Sequence, residues 1–235
     1  MKSVYLALDF PDWESSNAFL KEHAFSNIPV KVGMELFYRE GPAIIERLKA
    51  KGHPVFLDLK LHDIPRTVGR AMKNIASLDV DIVTVHAQGG SEMIAEAKEA
   101  LLAGQGSETK LIAITILTSF SEATFHDQLR YQTSIKDMSS QLAHVAHQGG
   151  ADGIVCAVHE VSEIKKNRGQ HFLAVTPGIR IQPLQIDDQK RIATPSYAKE
   201  AGADILVVGR AVTKAAEPYK AYEQIWKEWD ECNII

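Results

Sequence analysis

The sequence has little of what most quickly assigns a function class. Only 2 of its 235 residues are cysteine. Cys156 and Cys232 lack metal or redox spacing, which removes zinc ribbons, thioredoxin-type motifs and disulfide scaffolds. Cys156 sits in an apolar run and reads as a small core residue. There is no basic excess: 26 Lys and Arg face 30 Asp and Glu, for a net charge of −4. That balance leaves no electrostatic footprint for nucleic acid. No apolar run approaches the ~20 residues of a membrane helix. Met1-Lys2-Ser3-Val4-Tyr5-Leu6 enters an apolar run at once, too early for a signal peptide. No linker or low-complexity tract divides the chain. The expectation is one globular domain over residues 1–235, in a reduced cytoplasmic setting, with no membrane or nucleic-acid partner.

What is present is repetition. Eight short runs rich in Val, Ile and Leu recur: Val4–Leu8, Val30–Gly33, Val55–Leu59, Ile82–Val85, Leu111–Ile116, Gly153–Val158, Phe172–Val175 and Ile205–Val208. Such runs suit parallel strands covered on both faces. Amphipathic stretches separate them. Pro42–Lys51 reads as a helix closed by Gly52, and Thr67–Leu78, Glu92–Leu102 and Ala215–Trp229 are helical by pattern. The longest connection, Thr118 to Gln148, is expected to hold a helix and a loop. One junction repeats: Asp81, Asp152 and Asp204 each stand just before a strand. Eight βα units in this length predict the α/β class and a (β/α)8 TIM barrel. An open doubly wound sheet is the alternative. The missing Gly-x-Gly-x-x-Gly after the first run counts against it.

The third run ends in Asp58-Leu59-Lys60-Leu61-His62-Asp63. Asp58 and Lys60 are two residues apart on a strand, so they should share a face. Burying a single charge there is costly, and several together are tolerable only if they neutralise one another. A barrel does its chemistry at the carboxyl ends of its strands. The alternative is a structural ion pair. The other strand ends are Asp9, Lys31, His86, Thr118 with Ser119, His159, Thr176-Pro177-Gly178-Ile179-Arg180 and Gly209-Arg210. Asp9 could instead cap the first helix. Lys31 could reach outward, but near Asp58 an inward position is favoured. His86 and His159 read as packing or hydrogen-bonding residues. The aspartates around His62 form no compact ligand motif, and Lys60 among them argues against a metal. Gly209-Arg210, after the eighth strand, is a phosphate candidate, with the Pro177-Gly178 turn as its other wall. The polar stretch from Gln182 to Arg191 either covers a phosphate or is a solvated excursion.

The run from Phe56 to Thr67, Phe-Leu-Asp-Leu-Lys-Leu-His-Asp-Ile-Pro-Arg-Thr, resembles the signature of the orotidine 5′-phosphate decarboxylase family. The segments at Leu6–Asp9, Val30–Gly33, Thr84–Ala87, Leu117–Ser119, Thr176–Arg180, Asp187–Arg191 and Val208–Ala211 resemble its bacterial form, in the expected order. Asp-x-Lys-x-x-Asp alone is shared with sister enzymes of the superfamily. The full set is specific.

The resemblance implies a (β/α)8 homodimer that uses no metal or organic cofactor. It implies conversion of orotidine 5′-phosphate to UMP and carbon dioxide. Lys31, Asp58, Lys60 and Asp63 match an alternating charged network, with Asp63 lent by the partner subunit. Lys60 matches the proton donor. Asp9 and Lys31 match groups near the ribose, and Thr118 falls where the family contacts the pyrimidine. Thr67 and Pro177 match further substrate contacts. Arg180, Gln189, Gly209 and Arg210 match the phosphate end. Two other functions compete. A metal-dependent sugar-phosphate decarboxylase or aldolase of the same superfamily would place an acid where this chain has Lys31. A non-catalytic phosphate-binding barrel would keep Gly209-Arg210 but would not need Lys60.

Overall fold

The computed structural model describes residues 3–104, 108–181 and 191–231. Eight parallel strands close a barrel in sequential order. They are β1 (Ser3–Ala7), β2 (Val30–Gly33), β3 (Val55–Leu61), β4 (Ile82–His86), β5 (Lys110–Ile114), β6 (Gly153–Val155), β7 (Leu173–Thr176) and β8 (Ile205–Val208). Closure is through β1 and β8, paired from Ser3↔Ile205 to Leu6↔Val208. Closing the sheet removes every edge, so no strand is left with an unpaired side.

The side chains divide as a two-sided strand requires. Tyr5, Ala7, Phe56, Ile82, Ile112, Val175, Ile205 and Val207 fill the barrel interior. Phe56 meets Tyr5 edge-on, with ring centroids 5.7 Å apart. The intervening residues, such as Val4, Leu6, Val30, Val32 and Leu57, pack outward in the larger core beneath the helices. Those helices are α1 (Trp13–Glu22), α2 (Met34–Glu40), α3 (Ala43–Ala50), α4 (Pro65–Ile75), α5 (Gly90–Ala103), α6 (Glu122–Leu129), α7 (Ile135–Gln148), α8 (Val158–Arg168), α9 (Pro195–Glu200), α10 (Arg210–Thr213) and α11 (Pro218–Glu231). No described helix is long and apolar enough to cross a membrane.

The repeated aspartates acquire a physical reason. Each accepts a backbone N–H at the start of the preceding strand: Asp81 from Val55 at 2.7 Å, Asp152 from Leu111 at 2.8 Å and Asp204 from Ala174 at 2.7 Å. Lys98 and Lys165 neutralise Asp152 and Asp204. The amino end of the barrel is thus tied by carboxylates that serve stability.

Two expectations need correction, and one alternative reading falls. The connection from Thr118 to Gln148 holds two helices, α6 and α7, rather than one helix and a loop. Ser121 and Ser134 start them by accepting from the backbone of Thr124 and Asp137. The first helix is capped by Asp12, which accepts from Ser15, and not by Asp9. The third strand does not end at Leu59. It runs on to Leu61 through a bulge, because Leu57 pairs with Val83 and Leu61 with Val85. Four residues of β3 therefore span two of β4.

Candidate active site

That bulge shapes the site. Lys60 takes a left-handed backbone, with φ of 53°. A non-glycine residue there costs on the order of 1 kcal/mol and persists only where surroundings hold it. Here Thr84 of β4 holds it. The Thr84 hydroxyl accepts the Lys60 backbone N–H at 2.9 Å and donates to Asp58 Oδ1 at 3.0 Å. One hydroxyl thus replaces a ladder hydrogen bond and orients a carboxylate. Thr84 is fully buried. Its place in a Val-rich run was the available signal, since a buried hydroxyl needs partners. The sequence reading gave it no role.

Asp58 and Lys31 come to the same place from adjacent strands. Gly33 pairs with Asp58, and Lys31 with Phe56, so both side chains point into the barrel above the Phe56 layer. Asp58 Oδ2 lies 2.8 Å from Lys60 Nζ and 3.4 Å from Lys31 Nζ. Lys31 Nζ also reaches Asp9 Oδ1 at 3.3 Å. Asp58 and Lys31 are 7% and 9% exposed. Burial alone would raise the Asp58 pKa, but the Lys31 and Lys60 ammonium groups outweigh it and hold the carboxyl below its ordinary value. Burial alone would lower the Lys31 pKa, but Asp58 and Asp9 outweigh that and hold it above its usual value. Each group stabilises the charged form of the other.

These residues line one side of a cavity of about 430 Å3 at the carboxyl end of the barrel. That size suits a small-molecule ligand. Ile114, Ile116, Val155 and Val207 give it an apolar wall, and Thr118 and Ser119 a polar one. Pro177, Gly178, Arg180, Gly209 and Arg210 complete the lining, and Gly209 lies beside Asp9, whose Oδ2 a Cβ there would meet at 3.7 Å. Cys156 also lines the cavity, but burial pushes its thiol pKa well up, so it is a poor nucleophile.

The structure therefore brings together Asp9, Lys31, Asp58, Lys60, Thr118, Pro177, Arg180, Gly209 and Arg210. It does not bring Asp63 or Thr67 to the cavity of this chain. Asp63 is exposed and accepts from the backbone of Ile64 at 2.7 Å. Thr67 is exposed on the first turn of α4. Gln189 lies outside the described residues. His86 and His159 do not line the cavity. His86 lies 5.5 Å from the His62 ring, and His159 is 3.2 Å from the Tyr197 hydroxyl. Among the described residues, no group of three or more His, Cys, Asp or Glu could hold a metal ion.

A charged network set at one end of a (β/α)8 barrel, in a cavity that Arg180 and Arg210 also line, defines a barrel enzyme for small anionic substrates. The family model described as orotidine 5′-phosphate decarboxylase / HUMPS matches residues 2–225. The orotidine 5′-phosphate decarboxylase of Bacillus pumilus is 49% identical over 228 residues, covering 96% of this chain and 97% of that one. That of Bacillus cytotoxicus is 46% identical, covering 99% of both. The crystal structure of the Lactobacillus acidophilus orotidine 5′-phosphate decarboxylase superposes with a TM-score of 0.87 at 41% identity, over 98% of this chain and all of that one. The chain belongs to the orotidine 5′-phosphate decarboxylase / HUMPS family.

Proposed function

We propose that this protein decarboxylates orotidine 5′-phosphate to UMP and carbon dioxide, the last step of UMP synthesis. The observation that carries the reading is Asp58 held between two ammonium groups, with Lys60 facing the cavity. Losing carbon dioxide from C6 leaves an electron pair in the plane of the ring. No adjacent carbonyl accepts that pair, so the protein must stabilise it electrostatically. The Lys60 ammonium is the group for this. It stabilises the developing carbanion and then passes a proton to C6. Asp58 holds Lys60 in place and stands beside the departing carboxylate. Thr84 fixes Asp58. Lys31 keeps Asp58 charged, and together with Asp9 it binds the ribose hydroxyls.

The remaining contacts follow the cavity walls. Thr118 and Ser119 face the pyrimidine. Gly209, Arg210 and Arg180 receive the phosphate, with Pro177 and Gly178 beside it, and Gln189 joins them. Phosphate binding far from C6 supplies energy for ordering the site. Asp63 lies outside the cavity of one chain, which supports a homodimer in which the partner subunit contributes it; Thr67, on the adjoining first turn of α4, is a further substrate contact. The two cysteines and the biosynthetic reaction support a cytoplasmic setting.

The test is a spectrophotometric assay with orotidine 5′-phosphate before and after exhaustive chelation. UMP should form at the same rate in both. A chelator-killed activity restored by magnesium would instead favour a sugar-phosphate enzyme.

A further inference from the structure

Arg191 precedes α9, yet its guanidinium reaches back to the segments that follow β5 and β6. One nitrogen, Nη2, donates to the carbonyl oxygens of Ile116 at 2.8 Å and Leu117 at 3.2 Å. These carbonyls lie past the end of β5. The other nitrogen, Nη1, donates to Glu160 in the first turn of α8. The second oxygen of Glu160 accepts the Ala157 backbone N–H at 3.1 Å. Both side chains are largely withdrawn from water, at 15% exposure for Arg191 and 5% for Glu160. Stability alone does not favour such a pair, because apolar residues of similar volume usually serve as well or better.

The carbonyls chosen point to a use. Leu117 also accepts the Phe120 backbone N–H at 3.1 Å, which closes a turn over Leu117–Phe120. The two central residues of that turn are Thr118 and Ser119, and both line the cavity. Arg191 thus grips the turn at its base, and Glu160 fixes Arg191 against α8. Neither charged residue lines the cavity itself. We propose that Arg191, neutralised by Glu160, is a positioning residue for the pyrimidine: it sets where Thr118 and Ser119 meet the ring, through the backbone and without touching substrate. This rests on the reading that the cavity takes orotidine 5′-phosphate.

The test separates the ring from the phosphate. Wild type, Arg191→Ala, Arg191→Lys and Glu160→Gln are titrated with UMP and with ribose 5-phosphate, and assayed for turnover. A lost charge-assisted contact at the turn should weaken UMP binding by ~10-fold in Arg191→Ala. Binding of ribose 5-phosphate should change by less than about twofold, because the phosphate wall is untouched. Arg191→Lys should recover part of the loss, since one ammonium still reaches a carbonyl. Glu160→Gln keeps the acceptor for Ala157 and removes the charge, so it should shift UMP binding in the same direction. It carries the test if Arg191→Ala does not fold. The inference is overturned if UMP and ribose 5-phosphate weaken equally, or if neither weakens. Failure of the wild-type chain to form UMP would overturn the function and not this coupling alone.

Discussion

In the proposed reaction, Lys60 is the residue on which the chemistry turns. Its ammonium group lies 2.8 Å from Asp58, and its backbone is held left-handed by Thr84. It has the reach to deliver a proton to a ring seated in the cavity. Replacing Lys60 by Ala removes both the donor and the positive charge that stabilises the carbanion. Turnover should fall by about 10⁴-fold or more, the combined scale of general-acid and electrostatic contributions. UMP should still bind measurably, because the phosphate wall remains. Near-normal turnover in Lys60→Ala would remove this residue from the mechanism. Thr84 allows a second test at the same scale. In Thr84→Val the buried Asp58 carboxylate loses one of its partners and the Lys60 backbone N–H loses its acceptor. Unfolding in urea should show a loss of about 1–3 kcal/mol, and turnover should fall as Asp58 drifts from Lys60. Thr84→Ser, which keeps the hydroxyl, should restore most of both. A Thr84→Val protein as stable and active as wild type would show that Asp58 needs no second anchor.

The strands show which elements were legible in the sequence and which were not. β2 and β8 fall where the apolar runs end, because Val and Ile read plainly when both faces are covered. Alternation put Lys31 on the face opposite Val30 and Val32, and the nearby Asp58 made the inward position the favoured one. β3 was not legible in this way. Alternation predicts that Asp58 and Lys60 share a face, and their side chains do meet, but by way of a bulge and a left-handed Lys60. Backbone departures of this kind depend on a partner in the neighbouring strand, here Thr84, which single-strand periodicity cannot register. The Glu160–Arg191 pair escaped for the same reason, since 31 residues separate its members. The β8–α10 junction was legible by position, and it carries its own prediction. Arg210 starts α10 directly after Gly209 and lines the same cavity as the lysines. Arg210→Ala should cost about 2–4 kcal/mol in kcat/KM, the scale of a forked contact to phosphate. With the nucleoside substrate lacking the phosphate, wild type and variant should differ little. An equal penalty on both substrates would place Arg210 away from the phosphate.

At the scale of the whole molecule, the proposed site is not gathered in full by one chain. Asp9, Lys31, Asp58 and Lys60 meet within a single barrel, whereas Asp63 stands on the outer lip of the mouth, next to Ile64, which is 67% exposed. An exposed aspartate outside the lining of its own chain's cavity, followed by an apolar residue facing water, suits a surface that meets a second copy. Two-fold closure would make the arrangement reciprocal, each chain lending Asp63 to the other. Subunit mixing tests this directly. Asp63→Ala and Lys60→Ala proteins should each be nearly inactive. In the mixed dimer, one site combines the intact Lys60 of one chain with the intact Asp63 of the other. The second site carries both defects. Activity should return to about half of wild type per mixed dimer, and to about a quarter for a statistical mixture in which half the dimers are mixed. Proven subunit exchange with no recovery would place Asp63 in the service of its own chain. Dilution gives an independent reading of the same geometry. If two chains complete each site, specific activity should fall as the protein is diluted below its dimer dissociation constant.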